Sequence, residues 1–239
     1  VEGTISHEIL STQALSRLLP KHGVTAFLPT VSANFANISS IITGIDKASD
    51  FNASSFSGAR VLGINLEGPF LNPACSGALI SESFCSPSRS MLENWFNQSS
   101  GKLSIMTLAP ELPGGAELIK ALKELGIIPA IGHSNALYEK VEESVSLGLR
   151  HVTHAFNAMK GFHHRDPGVV GALLLLPELT TEVIADGFHL HPAAIKLLLQ
   201  AKGWEKMILI SDSMPWGGLP DGKYRLHGSE AEFVSVRDG

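Results

Sequence analysis

Seven short segments of the chain are rich in apolar and β-branched residues, and helical patterns lie between them. Most of these segments are continuous hydrophobic runs rather than strict alternations of apolar and polar residues. Such runs are typical of strands that are covered on both faces, as in a parallel sheet. The predicted strands are Val24–Val31, Val61–Leu66, Leu103–Leu108, Ile127–Ile131, His151–His154, Thr181–Ala185 and Met207–Ile210.

The segments between these strands carry apolar residues at helical spacing, which predicts a series of βα units. Asn135 is placed to cap the helix that follows the fourth strand, and Pro192 suits the first turn of a later helix. The predicted helices are Ile9–Leu19, Ala116–Leu125, Leu137–Leu147 and Pro192–Gln200, with weaker patterns after Phe35 and around Met91–Phe96.

Two architectures fit a parallel βα pattern, namely a closed eight-stranded barrel and an open doubly wound sheet. No glycine-rich dinucleotide fingerprint or P-loop follows a predicted strand, which weakens the open-sheet alternative. We therefore expect an α/β fold, a (β/α)₈ TIM-like barrel over residues 1–217, whose first strand precedes Val1. Two short predicted strands, Tyr224–Leu226 and Glu232–Val236, indicate the start of a small β-domain over residues 218–239.

Composition and charge narrow the possible partners. The 239 residues are 44% hydrophobic and 17% charged, which is ordinary for a globular protein. The formal net charge is -5 with scattered Lys and Arg, so nucleic acid and anionic membranes are not expected partners. The longest apolar run, Gly171–Pro177, is too short to cross a bilayer. Two cysteines form no disulfide framework or CxxC pattern, and we expect a cytoplasmic protein.

Polar residues with catalytic potential follow several predicted strands directly. Glu67 follows the second strand, His133 the fourth, His154 ends the fifth, and Asp212 follows the seventh. Because the carboxyl ends of barrel strands meet at one mouth, where active sites are built, we expect these four side chains to share one cavity.

Two imidazoles and one carboxylate suit zinc or a similar divalent ion that keeps one position open for water. Such an ion lowers the pKa of its water to about 7, and Asp212 could accept the water's proton and deliver it to a leaving amine. Each residue alone has a structural explanation, such as a buried core histidine. Their position at the same end of four strands favours a metal site.

Five segments of the chain, in the same order, resemble the N-acetylglucosamine-6-phosphate deacetylases of the amidohydrolase superfamily. The resemblance extends from about Gly23 to Trp216, and each segment by itself is only moderately specific. The segments are Leu66–Asn72, Gly132–Ala136, Thr153–Met159, Ile184–His189 and Ser211–Asp212.

The resemblance implies a role for each matching residue of the expected metal site. Glu67, His133 and His154 match the metal ligands of the family, and the ion would be zinc, with one or two ions per site. Asp212 matches the catalytic aspartate that activates the water. The implied reaction hydrolyses the N-acetyl amide of N-acetylglucosamine 6-phosphate to acetate and glucosamine 6-phosphate.

The resemblance also implies residues that bind the amino sugar phosphate. His189 matches a residue that contacts the sugar, and Ala78 matches a substrate-binding residue. Asn157 and Ala158 match residues at the sugar-phosphate site. Arg165 resembles an arginine that reaches the phosphate bound by the neighbouring subunit, a role that suits a guanidinium. A homodimer is therefore expected.

Leu79 departs from the family pattern, which has a histidine at this place to polarise the substrate carbonyl. Loss of one such donor can cost a few kcal/mol of transition-state stabilisation. Two alternatives to the leading hypothesis therefore stay open. The first is a hydrolase of a different N-acyl sugar or of a cyclic amide, and the second is a non-catalytic barrel that binds a sugar phosphate.

Overall fold

A computed structural model of the chain describes residues 12–33, 37–49, 58–214, 216–217, 219–225 and 233–237. Most of its strands lie close to the positions that the hydrophobic runs predict. The strands are β1 (Ala26–Phe27), β2 (Thr30–Ser32), β3 (Arg60–Val61), β4 (Ile64–Glu67), β5 (Leu103–Leu108), β6 (Ile128–Ile131), β7 (His151–Val152), β8 (Thr180–Ile184), β9 (Met207–Ile210), β10 (Gly222–Arg225) and β11 (Phe233–Val236).

Seven strands form one curled parallel sheet in the order β2-β4-β5-β6-β7-β8-β9. Spatial order follows chain order, so each strand pairs with the one that precedes it in this sheet. The sheet has the form of a half-barrel, which is consistent with the predicted TIM-like barrel. This arrangement brings the carboxyl ends of all seven strands to one edge.

The first two predicted strands are each interrupted, and the reason is local. Pro29 separates β1 from β2 and has no N–H for a strand ladder. Gly63 separates β3 from β4 with φ 154°, and a Cβ there would lie 2.8 Å from the carbonyl oxygen of Lys102. The short strands β1 and β3 pair with each other instead, as a separate parallel pair.

The predicted helices are present with small shifts of their ends. Pro192 opens its helix as expected, and the two weak patterns both form helices. The helices are α1 (within 12–18), α2 (Ile38–Ser49), α3 (Arg89–Gln98), α4 (Gly115–Glu124), α5 (Tyr138–Leu147), α6 (Gly168–Leu175) and α7 (Pro192–Lys202).

The predicted cap at Asn135 is wrong. Helix α5 begins at Tyr138, and Leu137 precedes it without a side-chain capping bond. The backbone N–H of Asn135 instead donates to the Glu111 carboxylate at 2.6 Å. A carboxylate from another loop thus holds the segment in which the local sequence predicted a cap.

Helix α6 has no counterpart among the predicted helices. Its residues are apolar on every side, and those from Gly168 to Leu173 are buried. A helix of this kind has no polar face, so the stripe that marks a surface helix is missing from its sequence. It packs with α5 and α7 against the second half of the sheet.

Two hydrophobic clusters form the core, one on each half of the sheet. The first joins β2, β4, β5 and helices α2 to α4, and includes a ring contact between Phe70 and Trp95 at 5.9 Å. The second joins β6 to β8 with α5, α6 and α7. Both clusters lie between strands and helices, which leaves the carboxyl edge of the sheet to polar residues.

Strands β10 and β11 form an antiparallel pair outside the seven-stranded sheet. The two short strands predicted near the end of the chain are thus present where residues are described. Residues 9–11, 226 and 232 of the predicted elements lie outside the described residues. The division at residues 217 and 218 stays a prediction. Over the described ranges, no helix is long and apolar enough to cross a membrane.

Leu173→Ala should destabilise the protein by about 2–5 kcal/mol, because it leaves a cavity around a fully buried side chain of α6. Leu175→Ala is the matched control, since Leu175 on the same helix is 64% exposed, and it should cost less than about 0.5 kcal/mol. Urea unfolding of the full chain measures both. Equal effects of the two substitutions would contradict the buried position of α6.

Candidate active site

Three buried side chains converge at the carboxyl edge of the sheet. Glu67 ends β4, while His133 and His154 follow β6 and β7. The Oε1 atom of Glu67 lies 3.1 Å from Nε2 of His133 and 3.1 Å from Nε2 of His154. The two Nε2 atoms are themselves 3.1 Å apart, and the rings meet edge to face. Residues separated by up to 87 positions in sequence thus meet at one point.

The backbone turns sharply at three of the four residues that were predicted to share a cavity. His133, His154 and Asp212 have positive φ angles of 47°, 29° and 47°. Left-handed backbone at a non-glycine residue costs on the order of 1–3 kcal/mol and clusters at functional sites. These turns come directly after strands, at the edge where the side chains converge.

The ring of His133 is held in one tautomer. Its Nδ1 lies 2.9 Å from the carbonyl oxygen of Cys75, in the short 3₁₀ turn Pro73–Cys75. Because a carbonyl only accepts hydrogen bonds, Nδ1 is the donor and carries the proton. The other ring nitrogen, Nε2, faces Glu67 and His154, where it would offer a lone pair to a bound ion.

His154 is held through its backbone. Its N–H donates to Oε2 of Glu182 at 3.2 Å, and Oε1 of Glu182 lies 3.0 Å from Nε2 of His151. Nδ1 of His151 in turn lies 2.7 Å from the hydroxyl of Thr180. These contacts give His151 a structural role beside His154. Nδ1 of His154 is buried and has no hydrogen-bond partner among the described residues.

The three side chains fit a divalent cation. Their ligand atoms lie within 4.8 Å of one another, and each can direct a lone pair to the same point. Burial alone raises the pKa of Glu67, but the hydrogen bonds and charges of both imidazoles together lower that pKa from 4.5 to about 2. Burial lowers the pKa of His154, and the hydrogen bond and charge of Glu67 outweigh this effect and raise it. Glu67 is thus ionised near neutral pH, as a carboxylate that binds a metal ion must be.

Asp212 lies at the rim, outside the three-residue group. It is exposed, but the surrounding protein removes part of its hydration, which is the largest cause of its raised pKa. The negative charge of Glu67 also raises the pKa of Asp212, and His154 lowers it. These interactions tie Asp212 electrostatically to the buried group.

Two of the predicted substrate residues lie in loops that meet beside His133. A Cβ at Gly77 would lie 3.0 Å from Cβ of Ala158 and 3.5 Å from Cε1 of His133. Ala78 follows Gly77 in this loop. The side-chain amide of Asn157 donates to the carbonyl oxygens of His154 and Ala155, at 3.3 and 3.1 Å, which fixes the loop after β7.

His189 and Arg165 are exposed. Asp186 holds His189, because one oxygen of its carboxylate accepts from the backbone N–H of His189 and the other lies 2.6 Å from Nδ1 of the ring. This bond leaves Nε2 of His189 available. The guanidinium of Arg165 makes no hydrogen bond or ion pair within the described part of the chain, although its backbone N–H donates to His163.

Glu111 was missed as a candidate residue. It follows β5 as the other candidates follow their strands, so its position after a predicted strand was the available signal. Its carboxylate accepts hydrogen bonds from Asn72, Ser134 and Asn135, which belong to the loops on either side.

The curled parallel sheet and the buried Glu–His–His group at its carboxyl edge define the class: an α/β protein, consistent with a TIM-like barrel, with a site that could hold a divalent metal ion. No protein-family model matches the chain. An N-acetylglucosamine-6-phosphate deacetylase of Bacillus subtilis is 40% identical over 235 residues, which are 98% of this chain and 59% of that protein. An N-acetylgalactosamine-6-phosphate deacetylase of Escherichia coli O157:H7 is 35% identical, over 89% of this chain and 56% of that protein.

Solved structures agree with the sequence relatives. The N-acetylglucosamine-6-phosphate deacetylase of Thermotoga maritima matches with a TM-score of 0.80 and 29% identity, over 99% of this chain and 61% of that one. An Asp→Ala mutant of the Mycobacterium smegmatis enzyme, in complex with N-acetyl-D-glucosamine-6-phosphate, matches with a TM-score of 0.81 and 28% identity, over 90% and 54%. The chain belongs to the N-acetylglucosamine-6-phosphate deacetylase family, and it spans little more than half the length of these relatives.

His189→Ala should raise the pKa of Asp186 from about 2 part of the way towards its usual 3.8, since two backbone N–H groups still donate to the carboxylate. The depressed pKa contributes stability that is present above about pH 3.8 and is lost as the pH falls through about 2. Carbon-13 NMR titration of the carboxyl carbon measures the shift. His191→Ala, which removes a ring that bonds Ala193 instead, is the control and should leave this pKa unchanged.

Proposed function

We propose that the chain carries the hydrolytic site of a deacetylase that converts N-acetylglucosamine 6-phosphate and water to glucosamine 6-phosphate and acetate. The observation that carries the proposal is the convergence of Glu67, His133 and His154 in one buried group. The chain is 38–40% identical to relatives that are named for this reaction.

Glu67, His133 and His154 would hold one divalent ion, which we propose is zinc, because imidazole nitrogen and carboxylate oxygen suit zinc at catalytic sites. A bound ion of this kind lowers the pKa of water and polarises a carbonyl. The protein contributes preorganised ligands, since the Cys75 carbonyl holds His133 and the Glu182 carboxylate holds the backbone of His154. Whether a second ion binds depends on ligands other than this group.

Asp212 is the proposed general base and acid. It accepts a proton from the attacking water while the bond between water oxygen and carbonyl carbon forms. It then donates that proton to the amide nitrogen as the C–N bond breaks, and acetate and the free amine leave. Its electrostatic interactions with Glu67 and His154 support this role.

We propose that the substrate contacts also lie at the carboxyl edge of the sheet. Nε2 of His189 is available to a sugar hydroxyl because Asp186 occupies Nδ1. Ala78 and Ala158 are small residues in or next to the loops that meet beside His133 and would leave room for the sugar. Asn157 would shape the sugar-phosphate site through the loop it holds.

We further propose a homodimer in which Arg165 contacts the phosphate bound by the neighbouring subunit. The exposed guanidinium, which bonds to no group among the described residues, supports this arrangement.

We also propose that an eighth strand, outside this chain, completes the barrel, and that residues 218–239 begin a small β-domain. Two free thiols, Cys75 and Cys85, support a cytoplasmic location.

A second candidate reaction is hydrolysis of a related N-acyl sugar phosphate. One relative, at 35% identity, is named as an N-acetylgalactosamine-6-phosphate deacetylase. Leu79 stands in the loop next to His133, where the resemblance to the family implies a histidine, and its side chain provides no hydrogen-bond donor. Parallel assays with the gluco and galacto substrates, with and without phosphate, separate these candidates through their kcat/KM values.

Asp212→Asn should lower kcat for acetate release from N-acetylglucosamine 6-phosphate by about 10²–10⁴-fold, because the amide cannot accept the proton. Its bound zinc should equal that of the wild type, since Asp212 lies outside the ligand group. Acetate assays and elemental analysis of the full protein measure both. Glu178→Gln, at an exposed carboxylate, is the control.

A wild-type protein that is folded and loaded with metal but releases no acetate would reject the proposed reaction. Tight sugar-phosphate binding without turnover would favour a binding protein.

Arg165→Ala should lower kcat/KM for the phosphorylated sugar by about ten- to a hundredfold, the loss expected for hydrogen bonds to a charged group, and should leave the unphosphorylated sugar unaffected. Arg165→Lys should fall between, because a lysine cannot make two parallel bonds to phosphate. In a mixture of Asp212→Asn and Arg165→Ala subunits, a site with both residues intact forms only if Arg165 acts across the dimer. Recovered activity would support that arrangement, and none would exclude it.

A further inference from the structure

Glu111 connects three neighbouring loops at the carboxyl edge of the sheet. Its Oε1 accepts from the side-chain amide of Asn72, which follows β4, at 2.9 Å. The same oxygen accepts from the backbone N–H of Asn135 at 2.6 Å. Its Oε2 accepts from the hydroxyl of Ser134 at 2.7 Å. Three donors therefore converge on one carboxylate that itself follows β5.

The first route from Glu111 to the metal-site group runs through the backbone. Ser134 and Asn135 directly follow His133, whose φ of 47° turns the ring towards Glu67. A left-handed backbone conformation at a histidine is unfavourable, and it persists only when surrounding contacts hold it in place. The two hydrogen bonds to Glu111 act on the two residues that leave this turn.

The second route runs through the loop after β4. Asn72 donates its backbone N–H to the carbonyl of His133 at 3.0 Å, and its Oδ1 accepts from the N–H of Ala74 at 2.9 Å. This bond caps the 3₁₀ turn that ends at Cys75, whose carbonyl fixes Nδ1 of His133. By holding Asn72, Glu111 also positions the group that sets the tautomer of the ring.

We propose that Glu111 is a positioning residue, which sets the metal affinity of the group formed by Glu67, His133 and His154 by holding both the backbone and the ring of His133. The proposal rests on the proposed function only in taking this group as a metal site. Residues that orient metal ligands typically change metal affinity by 10–100-fold when they are replaced. No contact between Glu111 and substrate is needed.

The charge and the two oxygens of Glu111 both contribute. A carboxylate accepts from all three donors at once, and bonds to an ionised acceptor are the stronger kind. A glutamine at position 111 can keep an oxygen towards Asn72 and Asn135. Its amide nitrogen would then face the hydroxyl of Ser134, which must reorient. Glu111→Gln should therefore retain part of the effect, whereas Glu111→Ala removes all of it.

The test measures zinc affinity of the full protein by competition with a chromogenic chelator, together with acetate release at saturating zinc. Glu111→Ala should bind zinc 10–100-fold more weakly than the wild type, and Glu111→Gln should lie between. The control Glu117→Ala removes an exposed carboxylate on α4 and should bind zinc as the wild type does. A purely structural role for Glu111 would lower the melting temperature without changing zinc affinity.

Wild-type zinc affinity in Glu111→Ala would overturn the proposal. If that variant does not fold, Ser134→Ala replaces it, because it removes one of the three bonds and should weaken zinc binding by a smaller factor. Unchanged affinity in Ser134→Ala would then overturn the proposal. A wild-type protein that binds zinc but releases no acetate would reject the proposed reaction and leave the affinity comparison intact. Absence of zinc binding by the wild type would overturn both.

Discussion

The structure depends on one electrostatic constraint, the convergence of one carboxylate oxygen and two imidazole nitrogens, from Glu67, His133 and His154, in a buried position. A carboxylate taken out of water is costly unless cations or hydrogen-bond donors compensate it. Here two imidazoles approach the same carboxylate oxygen at 3.1 Å, and a divalent ion would satisfy all three groups at once. Much of the carboxyl edge of the sheet serves to hold these side chains in place.

The parallel sheet explains how such distant residues meet. Each βα unit returns the chain to the same edge, so residues that follow β4, β6 and β7 become spatial neighbours. Hydrophobic clusters on both halves of the sheet fix the strands, and loop hydrogen bonds then set the direction of each ligand. Cys75 acts on the ring of His133, and Glu182 acts on the backbone of His154. The sheet thus places the three residues close together, and the loop hydrogen bonds orient their side chains.

Hydrophobic runs predicted the strands of the sheet and their order well, because buried parallel strands have a strong compositional signal. They did not predict α6, whose residues are apolar all round and lack a helical stripe.

The expected cap at Asn135 was wrong because its loop is held from outside by Glu111. The role of Glu111 depends on loops after β4 and β6 lying on either side of β5, and no local pattern records that neighbourhood. The convergence of Glu67, His133 and His154 was expected, and Asp212, although outside this group, interacts electrostatically with Glu67 and His154.

The separation of these ligands along the chain links folding to ion supply. Glu67 and His154 are 87 positions apart and meet only after four neighbouring strands have paired. Contacts between residues so distant in sequence form late in folding. The chain loses the conformational entropy of closing the loop before these contacts can stabilise it. An unfolded chain therefore presents scattered single ligands, and an ion would bind almost entirely to the native sheet. The free energy of unfolding would then rise with the free concentration of that ion. A shortage of metal would therefore lower the stability of the folded protein as well as its catalytic rate.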